Sequence, residues 1–209
     1  MTHANLHGSG WAAAIATGML FGIGVLPMTA NAAQPKLEVT PFASYRAGGQ
    51  FIGANGNVLD VEASNGLALA INWRTAEYGK QYELLFSRQD SKTDAGSPVN
   101  MQVEYLHLGG TVDLGAEGER VLPFAVGGIG ATRFSPPAGL SAATRWSMNL
   151  GGGVRVPLTE YVRLRVEARG YLTWMGGQAN LFCAGGCVLT AKARTFFQYE
   201  ALAGVSIGF

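Results

Sequence analysis

The sequence predicts an all-β fold, an eight-stranded antiparallel up-and-down transmembrane β-barrel, and three observations carry that prediction. The first is strand periodicity: in Arg194 to Phe209, RTFFQYEALAGVSIGF, every second residue from Phe197 onward is apolar or small, and polar or small residues fill the alternate set. The second is the sorting of the connections between such segments, which alternate long and short along the chain as they do when both ends of a barrel lie on one side of a membrane. The third is composition. Thirty glycines, a charged fraction of 14% and no helical heptads favour close-packed strands. Past the amino-terminal region no run reaches the about 18 apolar residues that a membrane helix needs, so a membrane-embedded chain has only a closed barrel with which to satisfy its backbone.

Taken in order, the chain of 209 residues begins with 35 that include no Lys, Arg, Asp or Glu. Trp11 to Met28 is apolar and is followed by Ala30-Asn31-Ala32, which suits cleavage before Ala33, so residues 1–32 read as a secretory signal peptide and 33–209 as the barrel domain. The amino-terminal part of that leader carries His3 and His7 in place of the usual Lys or Arg. A retained membrane helix fits less well, because Gly18, Gly22, Gly24 and Pro27 interrupt the run and no basic flank follows it.

The first strand is Lys36 to Arg46, with Pro41 an awkward member because it offers no ladder donor. A Gly- and Asn-rich loop, Ala47 to Ser64, leads to the second strand, Leu67 to Arg74, where Leu67, Leu69, Ile71 and Trp73 alternate with Ala68, Ala70, Asn72 and Arg74. The third, Gln81 to Gln89, sets Tyr82, Leu84 and Phe86 against Glu83, Leu85 and Ser87, and Asp90 to Pro98 is a polar loop. In the fourth, Val99 to Leu114, Leu106, Leu108, Val112 and Leu114 point outward and Tyr105, His107, Thr111 and Asp113 inward. Gly115 to Arg120 is a tight turn. The fifth strand, Val121 to Phe134, is so rich in glycine that its pattern fixes no phase.

After a loop at Ser135 to Ser141, the sixth strand, Thr144 to Val156, opposes Trp146, Met148, Leu150, Val154 and Val156 to Ser147, Asn149, Gly151, Gly153 and Arg155. The seventh carries the clearest alternation: Val162, Leu164, Val166, Ala168, Leu172 and Trp174 against Arg163, Arg165, Glu167, Arg169, Tyr171 and Thr173. Gly176 to Ala193 forms the fourth long loop before the terminal strand.

Which phase faces lipid is decided by the aromatics. Tyr45, Phe134, Trp146, Trp174 and Phe197 collect toward the long-loop ends, and Trp73, Tyr82, Tyr161 and Phe209 toward the short-turn ends, the pattern of two membrane girdles. The polar phase then lines the interior: Glu38, Arg46, Asn72, Arg74, Glu83, His107, Asp113, Arg155, Arg163, Arg165, Glu167, Arg169, Gln198 and Glu200. Eight strands leave room only for side chains, and a lone buried charge is very costly, so these groups must pair. We expect a lumenal charge network that includes Arg169, Glu167 and Glu200.

Over the whole chain after the leader, the sequence resembles the small eight-stranded outer-membrane barrels of Gram-negative bacteria, the OmpA-type and opacity-protein-like group. The residues that carry the resemblance are VEYLHLGGTVDL at Val103 to Leu114, PFAVGGIGATRF at Pro123 to Phe134, VRLRVEARGYLTW at Val162 to Trp174 and the terminal ALAGVSIGF. The resemblance implies a monomer in the bacterial outer membrane, among lipids that include lipopolysaccharide. It also implies that Phe209 is the signal read by the barrel-assembly machinery.

The chemistry in the sequence is sparse. Cys183 and Cys187 flank Ala184-Gly185-Gly186 in the last loop and in an exported chain most simply form a disulfide. Two thiolates alone do not make a zinc site, and no cofactor or metal is expected. His107 is the one histidine after the leader, no His-x-Ser-Asn run accompanies it, and an outer-membrane lipid A enzyme is therefore disfavoured. With 15 basic and 14 acidic residues, the chain has no nucleic-acid patch. The expected role is structural or recognition-based, anchoring four surface loops for adhesion, host or phage contact or envelope integrity; the alternative is a narrow channel for small or hydrophobic solutes.

Overall fold

The computed structural model describes residues 35–53, 58–92, 100–116, 118–136, 141–176, 179–183, 187–191 and 195–209. The expected leader, residues 1–32, lies outside them. Twelve strands follow one another: β1 Leu37–Ala47, β2 Gln50–Gly53, β3 Val58–Asp60, β4 Ser64–Arg74, β5 Lys80–Lys92, β6 Asn100–Asp113, β7 Leu122–Ser135, β8 Ala143–Pro157, β9 Val162–Trp174, β10 Ala179–Cys183, β11 Cys187–Ala191 and β12 Thr195–Gly208. Eight of them close a barrel in the order β1-β12-β9-β8-β7-β6-β5-β4, every neighbour antiparallel and β1 sealed to β4. The remaining four form a separate small sheet, β10-β11-β2-β3.

That second sheet corrects the sequence reading, in which Ala47 to Ser64 and Gly176 to Ala193 are plain loops. Their short strands pair across the two loops, Leu189 opposite Gly53 and Thr190 opposite Ile52. Segments of three to five residues bounded by glycine give too little periodicity to be seen from sequence. The sorting of connections is also less clean than expected. The 114–121 connection is no shorter than 93–99 or 136–142: β5 runs past its expected end at Gln89 to Lys92 and takes up part of the expected loop, while β6 stops at Asp113 and β7 starts only at Leu122.

The strands form where alternation predicts them, and their inner and outer faces are chemically opposite. Trp146 is 74% exposed, Leu150 70% and Ile129 67%, while Arg165 on the inside is 1% exposed. A soluble barrel would show the reverse. Such a continuous apolar outer wall is far larger than the patches that soluble monomers leave open.

The structure also resolves two points that periodicity leaves open. In β7, Phe124, Val126, Thr132 and Phe134 face inward and Ile129 outward, with Gly128 opposite Gly109 and Asn149. Pro41 is accommodated by a local gap: β1 pairs with β12 at Val39 and again at Phe42, and the two positions between them make no ladder pair on that side. The seam is bridged there by the Thr40 and Ser206 hydroxyls, 2.8 Å apart.

Candidate functional site

Among the described residues, titratable side chains converge in the interior, and alternation on five strands puts them there. β9 contributes Arg163, Arg165, Glu167 and Arg169, β5 contributes Glu83, β8 Arg155, β12 Glu200 and β1 Glu38 and Arg46. Glycines of the neighbouring strand β8 make the space. A Cβ at Gly153 would lie 2.2 Å from the Val166 carbonyl oxygen and 2.6 Å from the Glu167 Cβ, and one at Gly151 would lie 2.2 Å from the Ala168 carbonyl oxygen. Level with Glu167 and Arg169, β8 carries only Gly153 and Gly151, whereas level with Arg165 it sends Arg155 inward.

Three layers result. At the short-turn end Glu38 takes Arg163 as a salt-bridge partner, with Arg74 at 3.7 Å, and Gln81 Nε2 donates to it at 3.2 Å. Beside it Arg155 pairs with Asp113, donates to Thr111 Oγ1 at 2.8 Å, and lies over the Phe124 ring, 4.1 Å from its centroid.

The middle layer is a closed ring of charge. Glu83 forms ion pairs with Arg165 at 2.6 Å and Arg169 at 2.8 Å, and Glu167 with the same two arginines at 2.8 and 2.7 Å. Asn72 braces it, receiving Arg165 Nη1 at 2.9 Å and donating to Glu83 at 3.2 Å. Two arginines and two carboxylates cancel, which removes the penalty that either sign would suffer alone.

The upper layer departs from expectation. Glu200 sits directly opposite Arg169 in the β9–β12 register, as counting heights from the short-turn ends suggests, yet the two make no salt bridge. Glu200 is also directly opposite Arg46 on its other neighbour, and it takes Arg46 at 3.0 Å, Ser87 Oγ at 2.8 Å and the Tyr171 hydroxyl at 2.7 Å. Arg169 has its two carboxylates already, so the Glu200 cluster is separate from the Arg169 and Glu167 cluster. Arg46 lies 4.7 Å from the Tyr105 centroid, and Tyr105 stacks on Tyr171 at 4.1 Å.

His107 has a hydroxyl within reach although no His-x-Ser-Asn run accompanies it in the sequence. Its Nε2 lies 2.7 Å from Ser147 Oγ, because β6 and β8 place them across the lumen wall from each other. Arg169 Nη1 donates to Asn149 Oδ1 at 3.4 Å, which turns the Asn149 amide so that its Nδ2 donates to His107 Nδ1 at 2.8 Å. Nδ1 is then the acceptor and Nε2 carries the proton, so the ring donates to Ser147 and cannot act as its base. All three residues are buried, and the cluster works as a brace.

Above these layers the filling becomes apolar. Phe134, expected in the upper girdle, is fully buried and faces inward; the residues that do stand outward there are Tyr45, Trp146, Trp174 and Phe197. Phe134 meets Phe196 edge-on at 5.2 Å, and Phe51 from the first loop stacks on Phe196 at 4.8 Å. One signal for this cluster is present in the sequence: in the doublet Phe196-Phe197, a strand must turn one aromatic inward. At the other rim Trp73, Tyr82, Tyr161 and Phe209 are outward, and the Phe209 carbonyl accepts from the Lys36 amide at 3.0 Å.

Cys183 and Cys187 are opposed in the β10–β11 ladder, but their side chains lie outside the described residues.

No protein-family model matches the sequence, and no curated protein matches it. Among solved structures, the fold is similar to that of Neisserial surface protein A, with a TM-score of 0.58 at 14% identity over 83% of this chain and 97% of that one. It is similar to the outer membrane protein OprG of Pseudomonas aeruginosa, with a TM-score of 0.57 at 12% identity over 84% of this chain and 97% of that one. The chain thus has the fold of the small eight-stranded outer-membrane barrels.

Proposed function

We propose that this protein is a bacterial outer-membrane barrel whose lumen is closed by its own side chains and whose work is done at the surface, holding its long-loop side outside the cell for envelope integrity, adhesion or host and phage contact. The observation that carries the reading is the inverted wall: apolar residues outside, paired charges inside. In a bilayer the outer face is satisfied by lipid, and the ladder leaves no open edge. The charges are paired with each other, which leaves ions no vacant carboxylate to bind among the described residues of the lumen. Catalysis has no part in this reading, since the single Ser–His contact is buried and wrongly protonated for a nucleophile and base.

Support also comes from the asymmetry of the two ends. The long-loop end carries an ordered second sheet, β10-β11-β2-β3, where the short-turn end carries only turns. A built platform on one side is what a surface-contact protein requires. Cys183 and Cys187, opposed in that platform, are proposed to be joined as a disulfide that stiffens the β10–β11 hairpin.

The test is an epitope inserted within residues 93–99 of the full chain in a Gram-negative host. Antibody labelling of intact cells, together with heat-modifiable gel migration of the outer-membrane fraction, is expected. Labelling only after the outer membrane is opened would overturn the proposed orientation.

A further inference from the structure

The top of the barrel is filled by a residue that does not belong to the barrel. Phe51 comes from β2 in the second sheet and is fully buried, stacked on Phe196 at 4.8 Å and edge-on to Phe134 at 5.9 Å. Met101 and Met175, at the long-loop ends of β6 and β9, are buried in the same apolar cluster. A ring delivered by a loop into a socket of barrel side chains is an internal ligand. Whatever holds it holds an external ring of the same size by the same offset-stacked, edge-on and thioether contacts.

The delivery also has the form of a pivot. Gly48 and Gly49 both have positive φ, 86° and 101°, and a Cβ on Gly49 would come within 2.4 Å of the Phe196 ring. Only glycine fits this reversal, and it immediately precedes the arm that bears Phe51. At the pivot Gln198 Nε2 donates to the Gly48 carbonyl at 3.1 Å and the Val61 amide to the Gly49 carbonyl at 2.9 Å, and the next amide, Glu62, donates to Lys92 of β5 at 2.8 Å. Alongside runs a crevice of about 500 Å³, lined by Gly48, Gly49, Gln50, Val61, Thr195 and Phe197 among others, which opens on the outside of the arm's base.

The layer beneath sets the polarity of what the socket takes. Arg46 and Tyr171 both bond to Glu200 and Tyr105 donates to Gln198 at 2.9 Å, so the carboxylate and both phenol hydroxyls are engaged, only the Arg46 Nε–H lacks an acceptor, and a charged guest would find no free counter-charge.

We propose that the socket of Phe134 and Phe196 is a binding site for a neutral, single-ring apolar molecule, which enters past the crevice and takes the place of Phe51 as the arm turns on Gly48 and Gly49. Phe51 is then an intramolecular competitor, and the apparent affinity for the guest is lowered by the fraction of time Phe51 occupies the socket. This proposal does not depend on the surface role.

The experiment uses the full chain in lipid nanodiscs, titrated with 4-fluorotoluene and followed by fluorine NMR, with empty nanodiscs giving the membrane-partition baseline. Wild type is expected to bind saturably above that baseline, Phe51→Ala to bind at least tenfold more tightly, and Phe51→Leu, which keeps a smaller plug in place, to fall between them. Heat-modifiable migration checks that each variant is folded, and Phe51→Leu alone serves if Phe51→Ala is not. Absence of saturable binding to wild type overturns the proposal, because a site seen only after truncation is an engineered cavity. Equal affinity in wild type and the Phe51 variants also overturns it, because the guest then sits elsewhere.

Discussion

The lower and upper parts of the lumen solve the same problem, filling an eight-stranded barrel, with opposite chemistry. Below, the barrel fills itself: arginines of β9 reach Glu83 of β5 and Glu167 of their own strand, beside Gly151 and Gly153 of β8. Above, the barrel leaves an apolar socket and a loop fills it with Phe51. The difference teaches where rigidity resides. An ion-paired layer among barrel strands cannot be loosened at one point without stranding a buried charge, whereas an aromatic plug on a separate arm can leave without breaking the barrel ladder.

The comparison breaks first at Glu83. Replacing it with Ala leaves Arg165 and Arg169 short of one carboxylate in a dry interior, and we expect a loss of about 3–5 kcal/mol in urea unfolding from lipid vesicles. A loss under about 1 kcal/mol would mean that water already reaches the middle layer. The upper ion pair sharpens the point. Arg46→Met and Glu200→Leu should each destabilise by about 3 kcal/mol or more, while the double variant costs much less than their sum, since what hurts is the unpaired partner. Additive losses in that cycle would show that the two groups are not coupled.

The outer wall gives the next effect. Leu150→Arg places a charge among lipid-facing apolar residues and should cost about 2–4 kcal/mol in the same assay, a value that falls toward zero if the wall faces water. The smallest effect is expected at the plug. A fully buried aromatic usually costs about 3–5 kcal/mol on truncation, but Phe51→Ala should shift barrel unfolding by only about 1 kcal/mol or less and show itself instead as faster proteolysis of the first-loop arm. A full-sized loss in the unfolding assay would tie the arm into the barrel's cooperative unit.

The lower storey was legible because each of its charges occupies an alternate position on a strand with a clear oily face; Arg163, Arg165, Glu167 and Arg169 announce themselves together. Their partners were not. Register fixes which residues are level, as with Arg169 and Glu200, but a long side chain chooses among all the walls of a closed barrel, and Glu200 chose Arg46. The phase of β7 was hidden because glycine has no side chain to mark a face. The glycines that mark the space beside the β9 charges are instead Gly151 and Gly153 of β8. The upper storey was least visible, since Phe51 stands alone in a Gly-rich stretch whose strand has four residues, with one partner strand of three residues in the same loop and the other in a distant loop.

The central claim is that the paired charges close the lumen, and single-channel recording in planar bilayers tests it most directly. Wild-type protein, inserted and verified as folded by heat-modifiable migration, is expected to give no sustained conductance, and Glu83→Ala to give intermittent small openings. A steady open channel in the wild type would contradict the account.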